Sequence, residues 1–305
     1  MAIQNVALLG ADGTLGPAVL TELVAAKLTV TVLKRQGSKQ PDDYPSGVRV
    51  AKVPDDMDIA SVTETLKGQQ ALVVTIKGSQ TEVQDRLAQA AVKAGVQRMI
   101  PADFGSVDSS SEWTQSLVPL YKHKSALRER LVRLAKENAG FSWTSLVCGH
   151  FFDWDPGFLH IYPKEKKTEI LDAGEIKWSA STLSQIGKAT ARILQRPEET
   201  KNQMIYVQSF LISQNELVKA LEQATGQGKW QVKRFESKQY ERDEKIKADG
   251  GDLEAVENLV WMLGALDADW TKKEGFAMKK LGLQEEELQE VVHRMVREWR
   301  KAGQM

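Results

Sequence analysis

The first half of the chain alternates between short apolar runs and segments whose apolar residues recur at helical spacing. Ile3–Leu9 is a nearly continuous apolar run of strand length, and a helical pattern follows it at once. Leu28–Leu33, Val48–Val53, Ala71–Ile76, Arg98–Pro101 and Trp143–Cys148 read as further strands. Ala71–Ile76 has almost no polar positions, as expected for a strand covered on both faces. Between them, 58–66, 81–94 and 121–138 read as helices, with Gly95 placed as a C-terminal stop. Repeated βα alternation of this kind predicts an α/β fold with a doubly wound parallel sheet. Beyond about His150 the rhythm breaks. The segment 151–169 is rich in aromatics, Pro and Gly and reads as a loop bordering a pocket. Helical patterns then dominate at 183–195, 214–225, 237–249, 253–266 and 285–302, with short strands expected at 175–178, 204–207 and 229–234. The expected organisation is a Rossmann-type domain over 1–150 and a smaller, helix-rich substrate lobe over 151–305. Some strands and helices of the second unit are expected to return to the first.

Between the first strand and the first helix stand three glycines, Gly10, Gly13 and Gly16, in the pattern G-x-x-G-x-x-G. In that setting Gly10 would permit the tight turn and Gly13 the close approach of a pyrophosphate. Gly16 would let the helix pack against the strand. The phosphates would sit on the free N–H groups at the helix N-terminus, alongside Asp12, Thr14 and Leu15 of the same turn. The second strand ends in Lys34-Arg35, about twenty residues on. A carboxylate there would accept hydrogen bonds from ribose hydroxyls. A cationic pair instead complements a ribose 2′-phosphate, which Arg can grip with two N–H groups. The pattern therefore predicts NADP(H) as cofactor, although a solvated strand end would read the same way.

Composition narrows the function further. The 305 residues carry 41 basic and 41 acidic side chains, which gives no electrostatic reason to expect nucleic acid or an anionic membrane as partner. No apolar stretch approaches the length of a membrane span, and the N-terminus lacks the basic start of a secretory signal. With a single cysteine, Cys148, no internal disulfide framework exists. Its place in an apolar strand marks it as a buried thiol rather than a nucleophile. A cytoplasmic protein acting on a small molecule, as monomer or homodimer, is expected. The histidines show no spacing suggestive of a metal site.

A second constellation joins Ile100-Pro-Ala-Asp-Phe-Gly105 to the helix start Tyr121-Lys-His-Lys124-Ser-Ala-Leu-Arg128. Pro101–Gly105 leaves the fifth strand at the carboxyl edge, where open α/β sheets bind ligands. Lys124 follows close by, where a lysine beside the nicotinamide could act as general acid or base. From spacing alone, Lys122 and Lys124 read equally well as surface lysines beginning an exposed helix. The glycine turn, the segment Ala90–Gly105 and the Lys124–Arg128 helix start resemble the isoflavone reductase-like branch of the NmrA-like family, atypical short-chain dehydrogenases. The likeness spans nearly the whole chain, including 181–192.

This resemblance implies a Rossmann fold, NADP(H), and reduction of a small aromatic or conjugated molecule. Phenylcoumaran benzylic ether, isoflavone and pinoresinol–lariciresinol reductases belong to the same group. It assigns the general acid/base to Lys124 and implies that Thr75, Lys77, Asp103, Phe104 and Lys124 join the glycine turn around the cofactor. The usual Tyr-x-x-x-Lys signature is absent, since Ser125 stands four residues after Tyr121, and this fits the atypical branch. Phe104, His150, Phe151, Phe152 and Trp154 are the expected substrate contacts. One departure concerns His150, which stands where plant members carry asparagine. It is either a second proton carrier or a structural histidine, and the plant substrate does not carry over. A catalytically silent, NADP-sensing regulator of the NmrA type is the alternative; the presence of Lys124 favours the enzyme.

Overall fold

The apolar run at the start forms strand β1 (Asn5–Leu9), with Val6 to Leu9 all buried. The computed structural model describes residues 3–226 and 228–305, so the first two residues of the 1–150 unit and Gln227 lie outside it. Helix α1 (Gly16–Ala25) leads to β2 (Thr29–Arg35) and β3 (Arg49–Val53). Then come α2 (Ile59–Leu66), β4 (Ala71–Val74), α3 (Thr81–Lys93) and β5 (Arg98–Ile100). Two helices, α4 (Glu112–Leu117) and α5 (Pro119–Glu137), precede β6 (Ser142–Val147). Asp58 begins α2 by accepting the Ser61 N–H at 2.9 Å, and Pro119 opens α5, where its missing N–H costs nothing.

The second half continues with β7 (His150–Phe151), β8 (Ile161–Tyr162), β9 (Lys167–Leu171), β10 (Lys177–Ser181) and α6 (Leu183–Gln195). After β11 (Gln203–Tyr206) and β12 (Phe210–Ser213) come α7 (Gln214–Thr225), β13 (Gln231–Phe235), α8 (Ser237–Asp249) and α9 (Leu253–Leu266). The chain ends in α10 (Met278–Leu281) and α11 (Leu288–Lys301). Ser213 starts α7 with a reciprocal cap, its hydroxyl taking the Glu216 N–H while the Glu216 carboxylate takes its own.

The main sheet has the order β11-β6-β5-β4-β1-β2-β3, with every pair parallel. From β1 the chain winds outward to β3, then crosses back to lay β4 on the other side. The strand order therefore reverses between β1 and β4, the place where such sheets leave a ligand crevice. One apolar layer covers the α1 and α6 face, including Val19, Leu23 and Ile186. Another covers the α2, α3 and α5 face, including Leu66, Leu87 and Leu131.

The sheet's last strand comes from the second half: β11 pairs with β6 from Gln203↔Thr144 to Tyr206↔Val147. Buried Arg98 ties that edge together, donating to Ser142, Thr144 and Thr200 side chains and to the Pro197 carbonyl. Burial lowers its pKa to about 10, still well above neutrality.

Two small sheets, β12-β10-β7 and β13-β9-β8, build the lobe. The segment 151–169 expected as loop thus contains β8 and the start of β9. The strands are only a few residues long, too short for alternation to show in sequence. A fourth apolar cluster joins the halves, packing Val107, Val118 and Tyr121 with Leu171, Tyr240 and Trp261. Among the described residues no helix is long and apolar enough to cross a membrane.

Candidate active site

Three loops meet at the carboxyl ends of β1, β4 and β5. In the first, Gly10 adopts φ +97°, and a Cβ there would lie 2.8 Å from the carbonyl carbon and Oγ1 of Thr75. Thr75 in turn bonds the Leu9 carbonyl through its backbone N–H and hydroxyl. A Cβ on Gly16 would lie 2.1 Å from the Gly10 carbonyl oxygen, so helix and turn approach as closely as glycine allows. Gly13 closes the turn by donating to the Gly10 carbonyl at 3.0 Å, while Asp12, Gly13 and Thr14 remain exposed. Leu15 stands at the N-cap of α1, and no side chain caps the helix. Its first N–H groups therefore face an anion-ready turn with the positive end of the helix dipole behind them.

The end of β2 departs from the expectation of two cooperating cations. Lys34 is 3% exposed, and its ammonium is enclosed by Asp42 at 2.8 Å, the Pro41 carbonyl at 2.7 Å and Tyr44 Oη at 3.2 Å. Asp12 lies 3.4 Å from the same ammonium and accepts the Tyr44 hydroxyl proton at 2.8 Å. Burial opposes the Lys34 charge. Its bonds to Asp42 and Tyr44 and the charge of Asp12 outweigh that, so its pKa lies above the ordinary lysine value. Lys34 thus fastens the loop after β2 to the glycine turn. Arg35, exposed at the strand end, has no side-chain partner among the described residues. Strand alternation separates the two: neighbouring side chains face opposite ways, and only one can reach out. Lys77, in the loop after β4, is exposed.

Around Lys124 the chain builds a polar cluster. Its side chain is 10% exposed, and Nζ donates to the Asp103 carbonyl oxygen at 2.5 Å and lies 3.7 Å from the Asp103 carboxylate. Arg128, one helical turn on, donates to the same carboxylate at 2.9 Å and to Ser109 Oγ. The Ser145 hydroxyl also donates to Asp103. Burial raises the Asp103 pKa, but the charges of Arg128 and Lys124 with these hydrogen bonds outweigh it and hold the carboxyl below its usual range. Asp103 therefore clamps α5 to the loop after β5, and it is buried rather than presented to a cofactor. The Lys124 stem runs against Gly78, where a Cβ would lie 2.8 Å from Lys124 Cε. The ammonium is thereby held between the β4 and β5 loops.

Gly78, Ser109 and Ser145 carry no motif in the sequence. Arg128 alone had a signal, since spacing i, i+4 from Lys124 places both on one face of a helix. Tyr121, a turn before Lys124, is buried, its hydroxyl 3.2 Å from Ser106 Oγ. Burial pushes its pKa up to about 12, so it keeps its proton at neutral pH.

The expected substrate residues scatter. Phe104 sits at φ +32° and packs into the core on the α1 side. Phe152 is 1% exposed and packs edge-on against Phe210 at 4.6 Å, so it belongs to the core of the lobe rather than to a pocket wall. Phe151, half-buried, meets the exposed Trp154 at 6.4 Å between ring centroids. Cys148 is buried, and burial pushes its thiol well above the ordinary value, which leaves it an uncharged packing residue.

His150 is also buried, wedged between Trp178 and Phe158. Nε2 stands 3.1 Å from the Trp261 carbonyl, which can only accept, so this nitrogen carries the hydrogen and Nδ1 has no partner among the described residues. Burial lowers its pKa from 6.5 to about 4. At neutral pH the ring is uncharged, which removes the imidazolium a second proton donor would need.

This shift makes a stability prediction. As pH falls through 6.5 the unfolded chain takes up the proton, whereas the folded protein does so only near pH 4. Stability should therefore fall across that window by up to about 3 kcal/mol and level off below it. Denaturant unfolding at several pH values checks this: the drop should shrink in His150→Leu relative to the parent. Identical pH profiles would show that His150 is not the group responsible.

Comparison with known proteins agrees with this architecture. The profile of the NmrA-like family matches residues 3–242. A protein named oxidoreductase aprR from Aspergillus flavus is 32% identical over 240 residues, covering 78% of this chain and 79% of that protein. Oxidoreductase poxI from Penicillium oxalicum is 28% identical over 230 residues, covering 73% of this chain and 70% of that one. Among solved structures, AtPrR2 with NADP+ and (+)pinoresinol matches with a TM-score of 0.77 at 19% identity, covering 97% of this chain and 99% of that one. The binary complex of leucoanthocyanidin reductase with NADPH from Vitis vinifera gives 0.77 at 18%, covering 96% and 99%. At such identities these structures establish the fold.

Proposed function

The chain belongs to the NmrA-like family, and on that premise we propose that it is an NADPH-dependent reductase of a small aromatic or conjugated molecule. The observation that carries this reading is Lys124, held by Asp103 and Gly78 at the carboxyl edge that also carries the glycine turn. Relatives named as oxidoreductases, and structural neighbours described with NADP+ and NADPH, support it.

The residues present fit the cofactor. Gly10, Gly13 and Gly16 with the uncapped start of α1 would hold the pyrophosphate, with Thr14 and Leu15 in the same turn. Asp12 and Lys34 brace that turn from behind, and the free guanidinium of Arg35 would take the 2′-phosphate. When bound, the nicotinamide supplies the hydride. Lys124 handles the accompanying proton at Nζ, and Asp103 with Arg128 fixes the helix that carries it. His150 is assigned to packing, so the proton role falls to Lys124 alone. Of the aromatic residues expected at the substrate, half-buried Phe151 keeps ring surface outside the core, while Trp154 opens onto a separate cavity of the lobe.

The direct test mixes the protein with NADPH and aromatic carbonyls, enones, imines and benzylic ethers, and follows loss of cofactor absorbance. The reading predicts consumption with at least one class, slowed about 10²–10⁴-fold in Lys124→Ala. NADPH binding with no turnover on any class would favour a silent NADP sensor instead.

A further inference from the structure

A cavity of about 890 Å³ lies in the lobe and shares no lining residue with the small cavity beside Lys124. Its walls come from the 154–162 segment, β9, β13, α8 and α9, and seven carboxylates face only three cations across it. The inner carboxylates are already satisfied. Glu169 accepts from His160 at 2.9 Å and Lys167 at 2.8 Å, and Glu244 accepts from Lys247 and Asn258. Glu254 and Glu257 are different. They stand one turn apart on the same face of α9, exposed to the cavity, with no side-chain partner among the described residues.

A second, independent feature points the same way. Tyr240 lines the cavity and is 7% exposed, its ring packed between Phe235 at 5.1 Å and Trp261 at 5.6 Å. Its hydroxyl oxygen is buried and has no hydrogen-bond partner among the described residues. Burial first, then the negative charges of Glu244, Glu169 and Glu254, push its pKa up. A buried hydroxyl left unpaired is costly, and a ligand group that supplies its partner removes the cost. Trp154 and Phe158, tilted together at 5.8 Å, give the same cavity an apolar face, with Trp154 46% exposed.

We propose that this cavity binds an organic ammonium, a protonated amine carried on an aromatic or apolar body. Its N–H groups would meet the unpaired carboxylates of Glu254 and Glu257 and the lone pair of the Tyr240 hydroxyl. Its body would lie on Trp154 and Phe158. An ammonium has three donors and no acceptor, which matches a site offering acceptors on an acidic field. Aromatic faces attract the same charge. An anion of the same shape would meet net repulsion, since the carboxylates outnumber the cations around the cavity.

The site does not depend on the NADPH reading, and its test needs no cofactor. Tryptamine and indole-3-propionate, which share a body and differ in charge, are titrated calorimetrically into the full chain. Tryptamine should bind at least about tenfold more tightly, and more weakly as salt is raised. Tyr240→Phe and Glu254→Gln should each weaken tryptamine about three- to tenfold with the melting temperature unchanged, since neither group supports a contact in the fold. Equal binding of the two indoles, binding of neither, or wild-type tryptamine affinity in both variants would overturn the proposal.

Discussion

Lys124→Ala lowers turnover by about 10²–10⁴, the usual worth of a positioned general acid or base, while NADPH affinity changes much less. The expectation rests on how the side chain is held. A 10% exposed lysine donating to the Asp103 carbonyl, with Gly78 leaving room for its stem, has little freedom to leave the cleft. Lys124→Arg sharpens the test: it keeps the positive charge, but a guanidinium does not give up its proton in the working pH range and should not restore turnover. His150→Ala serves as the control, with a smaller loss that follows packing around Trp178 and Phe158. Single-turnover kinetics on the three variants separates chemistry from binding. Near-wild-type rates in Lys124→Ala with a dead His150→Ala would reverse the assignment.

The glycine turn yields the second large effect, and it divides two glycines by what surrounds them. Gly13→Val should leave a folded protein whose NADPH affinity falls by about 100-fold or more, because the added methyls occupy the approach to the exposed turn. The new Cβ would meet the Gly10 carbonyl at 3.3 Å, a tight contact relieved by a shift of a few tenths of an ångström in the exposed turn. Gly16→Ala behaves differently. There a Cβ would stand 2.1 Å from the Gly10 oxygen and 2.6 Å from Ala11, with backbone on every side. It should cost about 2–4 kcal/mol of stability, the scale of overpacking against atoms that cannot move. Circular dichroism with chemical denaturation and NADPH titration distinguishes the outcomes. Unchanged affinity in folded Gly13→Val would mean that the phosphates do not sit on this turn.

The parallel sheet was legible because its central strands are buried on both faces and read as apolar runs, Ala71–Val74 most plainly, separated by helical spacing. The glycine turn was legible because close approach admits no other residue at Gly16. What the sequence concealed depends on contacts between distant segments. Nothing local marks Lys34 as enclosed, since its partners Asp42 and Tyr44 come from the loop beyond it. Arg128 and Ser145 meet Asp103 only once α5 and β6 are laid against the β5 loop. Phe151 and Phe152 look alike in sequence, yet one is half-buried beside Trp154 and the other lies in the core. The two-residue strands β7 and β8 are too short to carry a period. The return of β11 to the main sheet is likewise a tertiary fact, secured in part by the buried Arg98.

The central claim is that this carboxyl edge selects and uses NADPH, and its specificity rests on the one cation at the end of β2 left free among the described residues, Arg35. Binding of NADPH and of NADH to the wild-type protein and to Arg35→Ala, each followed by titration at fixed salt, tests it directly. The account predicts tighter NADPH binding in the wild type, lost in the variant at a cost of about 1.5–3 kcal/mol, with NADH almost unaffected. Superimposable NADPH and NADH curves on the wild-type protein would contradict it.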